Sequence, residues 1–185
     1  MQDFKNKNPK GKIFFGRIAV GKSAVGKKIS ELDNVKFIDC DKEIWKHCDM
    51  RSNSIERIKK EIRSSILSRD KLKYNKLILN FSKTVNWNKL FEKKANYEVS
   101  VLGNYLNINA IPKKIVDQFN VYKVMCFIET RQMNIQDRGL DIDWVQKVDF
   151  MFEDPSNLYF KTIFNEDILE KRKIKKQSNI VIKAD

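Results

Sequence analysis

The stretch Lys12-Ile13-Phe14-Phe15-Gly16-Arg17-Ile18-Ala19-Val20-Gly21-Lys22-Ser23-Ala24 decides the fold. Residues 16–23 satisfy the pattern G-x-x-x-x-G-K-[ST] at every defined position. The chemistry behind that pattern is anion binding. Glycines let the backbone curl until successive N–H groups point into one hollow, and the following helix adds its positive N-terminal end. Gly16, Ala19, Val20, Gly21, Lys22, Ser23 and Ala24 are therefore the expected nucleotide-binding residues. Lys22 would reach the β- and γ-phosphates of ATP, and the Ser23 hydroxyl would hold Mg²⁺.

The flanks agree with that reading. Lys12-Ile13-Phe14-Phe15 is a short apolar run of buried-strand type. Beyond the loop, Val25, Ile29 and Leu32 recur at helical spacing. Strand, loop, helix is the order the motif requires.

Working outward, residues 34–41 read as a second strand ending in Asp39-Cys40-Asp41. In doubly wound sheets ligands sit outside the carboxyl ends of the strands, so both aspartates are expected on the rim that carries the loop. If the strand persists, period-two alternation points them the same way. Asp39 would brace Mg²⁺ or cap the next helix, and Asp41 would accept a proton from a substrate hydroxyl.

Residues 42–95 read as a mainly helical region. Ile55, Ile58, Ile62, Ile66 and Leu67 make one stripe through 54–68, with Ser54 as its cap. Leu72, Leu77, Ile78, Phe81, Leu90 and Phe91 continue the buried set. A third strand is expected over 97–103 with Gly103 at its rim, a short helix over 111–119, and a continuously apolar strand over 121–128. Helices follow over 129–137 and 141–152, and the spacing leaves 158–164 open between strand and helix. A charged helix over 166–176 and a terminal strand over 179–183 complete the reading. The architecture is thus α/β with helical insertions, filling 1–185 as one domain after a polar leader at 1–11.

Composition bounds the function. With 42% hydrophobic and 33% charged residues the chain is globular, and no apolar run approaches membrane-spanning length. The polar, basic start has no apolar segment behind it, which argues against a secretory signal and for the cytoplasm. Cys40, Cys48 and Cys126 are scattered and odd in number, so neither disulfides nor zinc are indicated. The net charge of +13 suits a phosphorylated ligand; no RNP motif, finger or helix-turn-helix signature points to nucleic acid.

Together, residues 16–23, Phe37-Ile38-Asp39-Cys40-Asp41-Lys42, the strand at 121–128, Glu129-Thr130-Arg131 and Asp137-Arg138-Gly139-Leu140 resemble dephospho-CoA kinase. The resemblance implies transfer of the ATP γ-phosphate to the ribose 3′-hydroxyl of dephospho-CoA, with Mg²⁺. It implies an α/β P-loop kinase-type three-layer fold with a central parallel sheet, a helical acceptor region at about 42–95 and a lid at about 130–155. By motif position Asp41 matches the family's base, Asp39 its partner, and Arg138 a lid arginine. Asn134 stands where the family carries a second arginine, and Lys147 and Met151 stand nearest its further lid positions. Two other readings are a nucleoside or nucleoside-monophosphate kinase on the same fold and a non-catalytic nucleotide- or nucleic-acid-binding protein.

Overall fold

A computed structural model describes residues 9–99, 108–155 and 158–169. The expectations for 1–8, for Gly103 and for 170–185, including the strand at 179–183, lie outside those residues.

Five short strands form one sheet: β1 (Lys12–Phe15), β2 (Lys36–Asp39), β3 (Ala95–Glu98), β4 (Asn120–Met125) and β5 (Lys161–Phe164). Their order is β2-β3-β1-β4-β5, and every neighbouring pair is parallel. Because parallel strands need crossovers, helices cover both faces, and the central strand β1 is apolar after its first residue. Ile13, Phe14 and Phe15 of β1 are all 0% exposed. The segment 158–164, open to either reading in sequence, ends in strand β5.

The main core lies on one face. Phe91, Tyr97 and Phe119 meet there with ring centroids 4.7–5.6 Å apart, within the range of favourable edge and tilted contacts. On the other face Phe14, Val20, Val25 and Val124 pack under α1 (Lys22–Leu32). A separate cluster joins α3 (Ser52–Leu67) and α4 (Lys71–Ser82) to α8 (Ile142–Met151) through Ile62, Ile66, Tyr74, Ile78, Val148 and Met151. That cluster docks the helical region against the expected lid.

Several local expectations shift. The residue preceding α3 is Arg51, three positions before Ser54, which falls inside the helix. Leu67 and Leu72 are 49% and 86% exposed; Leu67 is the last residue of α3 and Leu72 lies in the first turn of α4. The helix expected over 88–94 shrinks to α5 (Trp87–Leu90), and that over 111–119 to α6 (Lys113–Val116), with Pro112 preceding it. Strand β3 starts earlier than expected and ends with Glu98 at the rim. Strand β4 stops at Met125, and α7 (Ile128–Asp137) begins where a strand was expected to continue. Asp141 caps α8 by accepting from Asp143 N–H. Cys40 is a buried core residue, while Cys48 and Cys126 are half-buried; all three are free thiols.

Among the described residues no helix is long and apolar enough to cross a membrane. Much of the basic excess is engaged within the chain. Lys59 sits over Trp45, Arg63 over Trp144, and Arg17 and Lys123 over Phe152.

Candidate active site

The loop leaves β1 at Phe15 and enters α1 at Lys22. Its backbone carries the conformations the motif demands: φ is +152° at Gly16, +63° at Ala19 and +84° at Gly21. A Cβ on Gly16 would lie 2.4 Å from the carbonyl oxygen of Val124, and one on Gly21 would lie 2.2 Å from Asn165 Nδ2. Both positions therefore require glycine. Gly21 begins α1 without a side-chain cap, so the first helical N–H groups are left for an anion.

Lys22 is 6% exposed, and its Nζ donates to the carbonyl of Arg17 at 2.9 Å. Burial lowers its pKa; the Glu98 and Asp41 carboxylates oppose that, and the Arg138 and Arg131 guanidinium groups add to it. Glu98 at the end of β3, Asp41 just after β2, Arg131 of α7 and Arg138 just after α7 thus all act on one ammonium group. Ser23 is half-buried on the first turn, hydrogen-bonded to the Glu98 carboxylate, while Ala24 is exposed beside it.

The aspartate pair does not persist as strand. Strand β2 stops at Asp39, and α2 (Cys40–Glu43) starts at once, so period-two alternation ends before Asp41. Asp39 caps this helix, accepting from Asp41 N–H at 3.1 Å, and its other oxygen lies 3.5 Å from Lys42 Nζ. Asp41 is carried inward, 8% exposed and facing the Lys22 charge. Cys40 between them points into the core.

Glu98 was not singled out by the sequence reading. It is 7% exposed at the end of β3, and its Oε2 is buried with no hydrogen-bond partner among the described residues. Burial raises its pKa against the attraction of Lys22 and the hydrogen bond from Ser23. A carboxylate following the buried Tyr97 at the end of β3 was the available signal. A hydroxyl (Ser23) with nearby hard carboxylate oxygens (Glu98, Asp39), one of them buried and unsatisfied, fits Mg²⁺ by donor chemistry.

Arg138 follows α7 and is exposed, within electrostatic reach of Lys22 and Glu98. Arg131 is used differently. Its Nε donates to the Ile18 carbonyl at 3.0 Å, and its two terminal nitrogens each lie 2.7 Å from an Asp149 oxygen. Asp149 of α8 also lies 3.7 Å from the Arg17 guanidinium. Asn134 is buried and donates to the Ala19 carbonyl at 2.8 Å. Lys147 pairs with Asp143 at 2.5 Å, and Met151, 1% exposed, is core. Neither faces the loop.

Solved kinases superpose on this chain. A gluconokinase from Sinorhizobium meliloti 1021 superposes with a TM-score of 0.51 at 14% identity, over 97% of this chain and 100% of that one. The chain has the P-loop kinase fold. An unliganded sugar kinase from Janibacter sp. HTCC2649 gives a TM-score of 0.50 at 10% identity, over 89% and 92% of the two chains. In sequence, the shikimate kinase family model matches residues 18–63, from within the phosphate loop through α2 into α3. No curated protein matches.

Proposed function

We propose that this P-loop kinase fold catalyses transfer of the γ-phosphate of ATP to a hydroxyl group of a small polar acceptor. The observation that carries the reading is the loop of residues 16–22, left-handed at Ala19 and Gly21 and opening into α1 without a side-chain cap, with the Asp41, Glu98 and Arg138 charges acting on its Lys22. Phosphoryl transfer asks a protein for positioning and charge stabilisation rather than covalent chemistry, and this set supplies both.

Each residue then has a role. The loop amides and Lys22 hold the β- and γ-phosphates. Asp41 accepts the proton of the attacking hydroxyl, and Arg138 offsets negative charge on the group in transfer. Ser23 and Glu98 would hold Mg²⁺, with Asp39 close by, and a bound ion would supply positive charge to offset that of the phosphates. Asp39 serves mainly by fixing α2, which sets the position of Asp41.

For the acceptor, the motifs around Asp39–Asp41 and Arg138 favour the ribose 3′-hydroxyl of dephospho-CoA. The family match over 18–63 favours instead a hydroxy acid of the shikimate type or a sugar, since it spans both aspartates. Nucleosides and their monophosphates form the third arm. The test is ADP release from Mg-ATP with each acceptor class in turn, with Lys22→Ala as control. Turnover that rises with one acceptor and vanishes in the control supports the kinase and names its substrate. ATP binding with no acceptor-dependent turnover across the panel overturns it in favour of a non-catalytic nucleotide-binding role.

A further inference from the structure

Turning the amide hydrogens of a phosphate loop inward turns its carbonyls outward, and buried carbonyls must find donors. Here they find side chains from distant elements. The Ile18, Ala19 and Val20 carbonyls accept in turn from Arg131 Nε at 3.0 Å, Asn134 Nδ2 at 2.8 Å and Asn165 Nδ2 at 3.2 Å. Ala19 and Val20 are 3% and 5% exposed, so water cannot replace these donors. Ala19 also has a φ of +63°, a left-handed conformation that costs an L-residue with a Cβ. Something outside the loop has to hold it.

We propose that Asn134 is that positioning residue. Its amide pins the Ala19 carbonyl outward and so keeps the neighbouring loop N–H groups aimed at the phosphate hollow before a ligand arrives. The inference rests on the reading of residues 16–23 as a nucleotide phosphate site. Asn134 is the donor tested, because it bonds the carbonyl of the left-handed residue Ala19 itself. Arg131 is also bound to Asp149, and Asn165 lies against Gly21. Asn134 also belongs to α7, which carries Arg138 at its end, so the bond couples the shape of the loop to the seating of the helix that brings the arginine.

The test uses the full chain with Asn134→Asp, which keeps the size but sets an acceptor against the Ala19 carbonyl. Asn134→Ser, too short to reach, is the second variant if the first does not fold. Two quantities are measured: affinity for Mg-ATP and for inorganic tripolyphosphate by calorimetry, and hydrogen exchange of residues 16–22 without ligand. Loss of one donor predicts binding weaker by about tenfold for both ligands. Exchange should quicken in the loop while β4 and α3 stay unchanged. Unaltered affinity in a folded variant overturns the proposal. If the wild type binds neither ligand, the nucleotide reading fails by itself, and equal loop exchange in wild type and variant would still overturn the brace.

Discussion

The Asp39 carboxylate accepts the backbone N–H of Asp41 at 3.1 Å, so two acids one residue apart do different work. Asp39 ends a strand and starts a helix; Asp41, inside that helix, turns toward Lys22. Replacing Asp41 by Asn should lower kcat by roughly 10²–10⁴-fold, the usual contribution of a general base, with Mg-ATP affinity little changed. Asp39→Ala should cost about 1 kcal/mol of stability through the lost cap. Thermal unfolding and steady-state kinetics on the two variants separate the roles.

Glu98 gives the site a pH signature. Its folded-state pKa lies above the ordinary 4.5, chiefly through burial. The folded chain therefore holds the proton more tightly, and this favours the fold below the unfolded value and is lost as pH rises through the folded one. Wild-type stability should thus carry a falling component from pH 4.5 upward that Glu98→Gln lacks. Urea midpoints of both proteins across pH 4–7 check it; identical slopes would show that Glu98 does not titrate this way.

Gly16 tests the loop's backbone. With φ at +152° and Val124 O only 2.4 Å from a would-be Cβ, Gly16→Ala has to part β1 from β4 or distort the loop. The expected loss is at least about 1–3 kcal/mol. Differential scanning calorimetry reads it directly, and a melting temperature equal to wild type would contradict the close approach.

Arg131 and Asp149 form the tie between the loop and α8, both only about one-fifth exposed. Truncating one leaves the other charge poorly solvated, so Arg131→Met should destabilise by about 1–3 kcal/mol. The double variant with Asp149→Leu should lose less than the sum of the singles, because neither charge is then stranded. Additivity in that cycle would mean the pair is not coupled.

Met151 was placed by its sequence position among lid residues, yet it fills the cluster between α3, α4 and α8. Met151→Ala should cost about 2–5 kcal/mol as a cavity while leaving the Kd for Mg-ATP unchanged. A large Kd change without loss of stability would return Met151 to the site.

How far the site was legible follows from how local its signals are. The phosphate loop was readable because its chemistry needs fixed residue types within eight positions. Strands β1 and β4 and helices α1, α4, α7 and α8 were readable because apolar spacing reports burial. Leu67 and Leu72 misled because a helix stripe shows which face is apolar, not where the neighbouring element ends. Asp39-Cys40-Asp41 was seen as a pair, but the helix start between them, which assigns the roles, depends on a single capping hydrogen bond.

The sequence by itself determined the β-loop-α phosphate site, the acids near it and the α/β class, since each depends on neighbours along the chain. Only the tertiary structure decided that Glu98 joins Lys22, that Arg131 serves the loop rather than a phosphate, and that Asn134 and Asn165 hold its carbonyls. These contacts join residues 113 to 145 positions apart in the case of the loop braces. No periodicity encodes them; they exist because a parallel sheet brings the ends of β1, β3, β4 and β5 to one edge, where buried carbonyls take the nearest donor.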